Sequence, residues 1–170
     1  MRKVLVMGPP GAGKSTLARR LGKLTGLPVI HLDQHFWNCG WVPTPPDVFR
    51  QKIAKLVATP AWIMDGGYGN TMDLRLAAVD TIVYLDMPRW LCMVRIVRRA
   101  LLHYGEVRAD MAAGCPEKVD WGFLVYAWNY HRRQRTVRLT QIRAARVNNV
   151  ILRSPPEAEL YLQRLERAAA

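Results

Sequence analysis

Two hydrophobic periods alternate along this chain. Short, largely apolar runs at residues 3–7, 29–32, 61–64, 81–85 and 147–152 have the length and content of buried strands. Between them the spacing widens to helical steps. Leu17, Leu21 and Leu24 fall on one face, and Gly26 is placed to end that helix. Thr44-Pro45-Pro46-Asp47 reads as a capped helix start leading into residues 48–57. Residues 71–78 suit a short helix, and Pro88 opens a longer one toward Leu102. Residues 103–120, with Gly105, Gly114 and Pro116, break the pattern and predict an irregular excursion. Helical patterning resumes over residues 121–145, and Pro155 or Pro156 starts a final helix. Strand and helix in strict alternation predict an α/β fold with a parallel sheet. Five strands with crossover helices make one three-layer domain over residues 1–170, with a lid excursion at about 102–120.

Length and composition narrow the class. A chain of 170 residues, half of them hydrophobic, has room for one well-buried core. No apolar stretch approaches the roughly 18 residues of a membrane span, so no membrane partner is expected. The chain enters a strand at once, which leaves no room for a signal peptide. Cys39, Cys92 and Cys115 are odd in number and widely spaced, and form no C-x-x-C pair. That usage predicts a reduced, cytoplasmic setting. The net charge of +12 is concentrated: residues 89–146 hold twelve Lys/Arg against four Asp/Glu. Such a segment suits nucleic acid, a clamp for the phosphates of small nucleotides, or a solvated helix face.

The chemistry is carried first by Gly8-Pro9-Pro10-Gly11-Ala12-Gly13-Lys14-Ser15-Thr16, a complete G-x-x-x-x-G-K-[ST] pattern. It follows a strand and opens a helix, the setting in which the pattern has physical meaning. Glycines let successive N–H groups turn inward around an anion, and the helix N-terminus adds partial positive charge. Lys14 would reach the β- and γ-phosphates, and the Ser15 hydroxyl would help hold Mg²⁺. The expectation is therefore ATP and Mg²⁺ on a three-layer α/β/α P-loop NTPase fold, with a five-stranded parallel sheet and a helical lid.

Ligands of open α/β sheets gather beyond the strand C-termini, and three aspartates stand there. Asp33 would accept a proton from an acceptor hydroxyl or orient the acceptor; the alternative is a turn or cap aspartate. Asp65, in Asp65-Gly66-Gly67-Tyr68, suits the water shell of Mg²⁺, against a turn role. Asp86, just before Met87-Pro88, is expected to cap the next helix and is left out of the site. Arg95 and Arg99 share a helical face, and Arg132 and Arg135 belong to a second cluster past the excursion. These four are the candidates for closing on a transferring phosphoryl group, against a solvated role for each. The six tryptophans are expected in packing, and the four histidines have no metal-ligand spacing.

With these residues in view, the chain resembles the adenylate-kinase-like P-loop proteins called DNA topology modulation proteins. The resemblance rests on residues 8–16, on Thr-Gly-Leu-Pro-Val-Ile-His-Leu-Asp at 25–33 and on Trp-Ile-Met-Asp-Gly-Gly-Tyr at 62–68. It continues in Asp-Thr-Ile-Val-Tyr-Leu-Asp-Met-Pro-Arg-Trp-Leu at 80–91 and Gly-Cys-Pro-Glu-Lys at 114–118. Residues 25–33 are similar to the second-strand region of shikimate kinases, which implies that Asp33 contacts an acceptor hydroxyl. Residues 86–99 resemble the adenylate kinase segment leading into the lid, which implies phosphate contacts for Arg95 and Arg99. Asp65-Gly66 resembles the adenylate kinase Asp-Gly-Phe-Pro-Arg stretch, but Gly69 stands where that family has its arginine, so AMP is not implied as acceptor. The name of the family implies an effect on DNA topology, which an indirect route through nucleotide metabolism fits as well as direct binding.

Three functional readings follow. The first is a kinase that moves the γ-phosphoryl group of Mg-ATP to a small nucleotide or hydroxylated acceptor. The second is a DNA-binding protein regulated by ATP, and the third an ATPase switch without an acceptor.

Overall fold

The computed structural model describes residues 1–169. β1 (Lys3–Met7) runs through the glycine-rich loop into α1 (Lys14–Thr25), and β2 (Val29–His31) passes directly into a short helix, α2 (Leu32–Phe36). A small hairpin of β3 (Trp37–Asn38) and β4 (Val42–Pro43) precedes α3 (Pro46–Ala58). Then come β5 (Trp62–Asp65), α4 (Met72–Ala78), β6 (Thr81–Leu85) and α5 (Arg89–Leu102). After the 103–120 excursion, α6 (Trp121–Tyr130), a π-helical turn (His131–Arg135) and α7 (Thr136–Ala144) follow without a break. β7 (Asn148–Leu152) and α8 (Pro155–Ala169) complete the chain.

The five longer strands form one parallel sheet in the order β2-β5-β1-β6-β7, as the alternating pattern predicts. Alternation along β1 assigns the two faces. Val4 and Val6 pack with Leu17, Ala18 and Leu21 of α1 and Leu162 of α8. Leu5 and Met7 pack with Phe49 and Ile53 of α3, Met72 of α4 and Ile142 of α7. Both layers are dry: these four β1 residues are at most 1% exposed. Each buried side chain of this size is worth about 1.5–3 kcal/mol relative to exposure, so a helix layer on each face is what holds the sheet. α1 approaches closely because residue 22 is glycine: a Cβ there would lie 2.4 Å from Val29 Cγ2. Gly26, at φ 70°, ends α1 as expected, with its N–H donating to the Gly22 carbonyl at 2.9 Å.

Four features depart from the sequence expectations. α2 begins inside the expected strand run at 29–32 and places Asp33 in a helical turn rather than at the strand end. The β3–β4 hairpin, with two residues per strand and a proline in one, is too short to leave a period. Asp86 does not cap α5; it takes both prongs of Arg135, Nε at 2.7 Å and Nη2 at 2.6 Å. Residues 103–120 contain no helix of their own and fold over the hairpin. Met111, Ala112 and Cys115 pack against Trp37 and Trp41, and Trp41 Nε1 donates to the Pro116 carbonyl at 3.1 Å.

Candidate active site

All five parallel strands point their C-termini at one cleft of 1620 Å³, and the loops leaving β1, β2 and β5 supply much of its wall. The loop after β1 is shaped for an anion. Gly8, Gly11 and Gly13 hold φ of 148°, 76° and 94°. A Cβ on Gly8 would lie 2.6 Å from the Leu85 carbonyl oxygen, and one on Gly11 2.4 Å from that of Cys92. Only glycine fits at those two turns, and the chain then enters α1 at Lys14 with the first-turn N–H groups of the helix directed at the cleft. Pro9 is buried and Pro10 partly so; Ala12 is buried, and its carbonyl accepts from Arg95 Nη1 at 3.1 Å. Thr16 is exposed at the rim of the cleft.

Lys14 Nζ donates to the Pro9 carbonyl at 2.9 Å. Burial pushes its ammonium below the ordinary lysine value, while Asp65 and Asp33 pull the other way. A half-buried cation with a carbonyl for its hydrogen-bond partner, beneath a ring of backbone donors, fits a polyphosphate.

The acids fall into two pairs. Asp65, 4% exposed at the end of β5, is held by His31 at the end of β2, with Nδ1 to Oδ1 at 2.7 Å. Burial works against a charged imidazole, but the hydrogen bond and charge of Asp65 outweigh it, so the His31 pKa stands above its ordinary value. Asp33, in the first turn of α2, accepts from the Tyr68 hydroxyl at 2.5 Å. Burial raises the Asp33 carboxyl pKa, and the Tyr68 hydrogen bond and the Lys14 charge only partly offset it. A carboxylate with a raised pKa, close to the cation of a phosphate loop, is placed to accept a proton. For a divalent cation the donors are hard oxygens: the Ser15 hydroxyl, Asp65, and Asp110 from the excursion. This set fits Mg²⁺, which keeps several waters and takes few protein ligands.

Asp110 was not foreseen from the sequence. It is 5% exposed, 3.0 Å from Arg108 Nη1. Burial would raise its carboxyl, but Arg108 and the Ser15 hydroxyl hold it below the usual carboxylate range. Of the four predicted arginines, Arg95 and Arg99 line the cleft. Arg132 is exposed and Arg135 is paired with Asp86, and neither is part of the cleft wall. The face of this helical segment that does reach the cleft carries Tyr126, Tyr130, Gln134 and Arg138. Four-residue steps drift by about 40° each on a straight α-helix. The π turn between α6 and α7 takes up that drift and keeps the four on one side.

Arg138 and Arg75 also belong to this region, although neither is among the four arginines singled out from the sequence. Arg138 is 8% exposed and hydrogen-bonds Gln141 Oε1 at 3.0 Å. Its Nη2 lies 3.0 Å from where a Cβ on Gly69 would stand, so the guanidinium fills the space opposite that glycine. Arg75 is fully buried. It donates to the carbonyls of Gly66 at 3.0 Å, Tyr68 at a shorter distance, and Thr71 at 3.4 Å. Burial, with Arg138 nearby, pushes its pKa down to about 9. Arg75 ties the carbonyls of the 66–71 loop back into the protein, which leaves Asp65 and Tyr68 in place on the cleft side.

No protein-family model matches the chain. A shikimate kinase of Leptospira borgpetersenii serovar Hardjo-bovis is 33% identical over 89 residues, covering 44% of this chain and 50% of that protein. The chain thus spans about half the length of the curated relative it matches. Among solved structures, the shikimate kinase of Acinetobacter baumannii in complex with shikimate superposes with a TM-score of 0.61 at 18% identity, over 99% of this chain and 92% of that one. The shikimate kinase of Bacteroides thetaiotaomicron gives 0.60 at 15%, over 97% and 96%. An unliganded sugar kinase from Janibacter sp. HTCC2649 gives 0.53 at 18%, over 100% and 98%. The five-stranded parallel sheet, the phosphate loop and these likenesses together establish the fold as that of the P-loop kinases.

Proposed function

We propose that this chain is a P-loop phosphotransferase that moves the γ-phosphoryl group of Mg-ATP to a hydroxyl of a small acceptor. The observation that carries the reading is Asp33: a carboxylate with a raised pKa, held by Tyr68 at 2.5 Å, facing the same cleft as Lys14. An ATPase switch needs no such group across from its phosphate loop. In this reading the loop amides and Lys14 would hold the phosphates, and Ser15 with Asp65 and Asp110 would hold Mg²⁺ through its water shell. Bound Mg²⁺ supplies charge neutralisation between the phosphate oxygens. Asp33 accepts the proton of the acceptor hydroxyl, and Arg95 and Arg99 face the charge that spreads over the transferring group. Arg138, buried without a carboxylate partner among the described residues, favours an acceptor that also bears an anionic group. The names of the matched relatives, shikimate kinase and sugar kinase, agree with a hydroxylated acceptor.

ADP release from Mg-ATP, measured against a panel of hydroxylated carboxylates, sugars, nucleosides and nucleoside monophosphates, tests this directly. One acceptor should stimulate turnover, with Lys14→Ala abolishing it and Asp33→Asn lowering kcat about 10²–10⁴-fold. A flat panel with nucleotide binding intact would reject the kinase reading.

A second reading rests on the surface. Arg98, Arg132, Arg133, Arg143 and Arg146 are exposed on α5, the π turn, α7 and the turn after it, within the segment that carries most of the net charge. On this reading, in keeping with the DNA topology modulation resemblance, ATP would regulate nucleic-acid affinity. Duplex DNA should then be retarded at low salt and released steeply as salt rises; no retardation at low salt removes it.

A further inference from the structure

The 103–120 excursion carries a carboxylate that the proposed phosphotransfer does not use. Glu117 is 5% exposed, among the most buried charged groups of the molecule. Its backbone is pinned across the excursion: its N–H donates to the Glu106 carbonyl at 2.8 Å, and its carbonyl accepts from Gly105 at 2.9 Å. Its Oε1 lies 3.0 Å from Arg99 Nε of α5 and 2.6 Å from Arg108 Nε of the excursion. One oxygen therefore sits between two guanidinium groups that arrive from different elements. Both contacts are close ion pairs, so the charge of Glu117 is central to them.

Charge is what this pair of arginines requires. Arg99 and Arg108 both line the cleft beside Lys14 and Ser15. Burial, then the neighbouring Arg108, depresses the Arg99 pKa, and Glu117 works against both. Two like charges brought together out of water repel and would splay toward solvent unless a carboxylate lies between them. In both pairs the nearest nitrogen to Glu117 is the inner Nε; Arg99 makes no hydrogen bond from its terminal nitrogens among the described residues, while Arg108 gives Nη1 to Asp110 at 3.0 Å. The carboxylate holds each guanidinium from behind.

We propose that Glu117 is a positioning residue that holds Arg99 and Arg108 together over the phosphate loop, so that both face the terminal phosphates of a bound nucleoside triphosphate. This rests on the reading of residues 8–16 as a triphosphate site. The opposite role is a carboxylate that competes with phosphate for the same arginines, and it predicts the opposite sign.

The test is calorimetric titration with Mg-AMP-PNP of the native protein, Glu117→Gln, Arg99→Ala/Arg108→Ala, and all three substitutions together. Glutamine keeps the shape and removes the charge. It should weaken binding about tenfold, the cost of misplacing a charge-assisted contact. In the arginine-free background the same substitution should cost nothing further, because its effect passes through those two side chains. Native or tighter affinity in Glu117→Gln overturns the proposal, as does an equal loss with the arginines absent. If Glu117→Gln does not fold, Glu117→Asp carries the test, since it keeps the charge but draws it back by one methylene. Weaker binding then supports the proposal and native affinity overturns it. A native protein that binds no Mg-AMP-PNP would instead sink the triphosphate reading of residues 8–16, and the role of Glu117 with it.

Discussion

His31 stands opposite Asp65 in the β2–β5 ladder, so strand register alone brings imidazole and carboxylate together. Because the His31 pKa is raised in the folded protein, the pair contributes stability in full below the ordinary histidine value of about 6.5. That contribution is lost as pH rises through the raised folded value. Thermal unfolding between about pH 5.5 and pH 9 should show native protein losing its advantage over His31→Gln as pH rises. A gap that stays constant across that range would mean the pair does not titrate as described. Arg75 makes a second residue-scale prediction. It is fully buried and serves the carbonyls of Gly66, Tyr68 and Thr71. Arg75→Met would leave several of these acceptors dry, at a cost of about 3 kcal/mol, or roughly 6–12 °C in Tm. An unfolding midpoint within 2 °C of native, on the order of the measurement error and well below that range, would contradict the scaffold role. Neither partnership was legible in sequence. A buried arginine that bonds carbonyls is spelled no differently from one on the surface, and ladder register is a property of two strands rather than of one.

At the scale of elements, α1 lies against the sheet because of Gly22. Alanine there gains up to about 1 kcal/mol in helix propensity. Its Cβ, however, would stand 2.4 Å from Val29 Cγ2 and 3.2 Å from the Leu27 carbonyl oxygen. Overpacking of this kind costs about 1–3 kcal/mol, so the clash should win and Gly22→Ala should lower the urea midpoint. A raised midpoint would show that α1 can shift freely on the sheet. The longer elements were legible, because each has its own period: the five strand runs and the longer helices between them stand where the hydrophobic spacing predicts, whereas the five-residue α2 is too short to show one. The side that a long helix presents was less so. A constant helical period places Arg132 and Arg135 with the cleft as readily as Arg138, and the π turn decides among them.

The whole molecule joins a rigid sheet to an excursion that folds over its own hairpin. Gly40 N–H donates to the Gly114 carbonyl at 2.9 Å, and Gln34 Nε2 to the Ala109 carbonyl at 2.7 Å, so the excursion is tied to the segment after β2. A ligand seated between phosphate loop and excursion should stabilise both. At a concentration about 100 times its dissociation constant, Mg-AMP-PNP should add about 2.7 kcal/mol, roughly 5–10 °C in Tm. Chelating the metal should remove most of that gain, and an unchanged Tm with saturating Mg-AMP-PNP would speak against a triphosphate site. No helix among the described residues is long and apolar enough to cross a membrane.

By itself the sequence determined the alternation of strands and helices, the glycine-rich turn before α1 and the aspartates at strand ends. These are local properties: hydrophobic period, steric freedom at glycine, and the chemistry of adjacent residues. Only the tertiary structure decided which of the many arginines meet the cleft, which carboxylates they meet there, and that Asp65 is shared with His31. Those outcomes depend on register, on a single widened helical turn and on which charges are desolvated together. Such relations join residues of different elements, Arg99 with Glu117 and Asp86 with Arg135, and no helical or strand period links the two members.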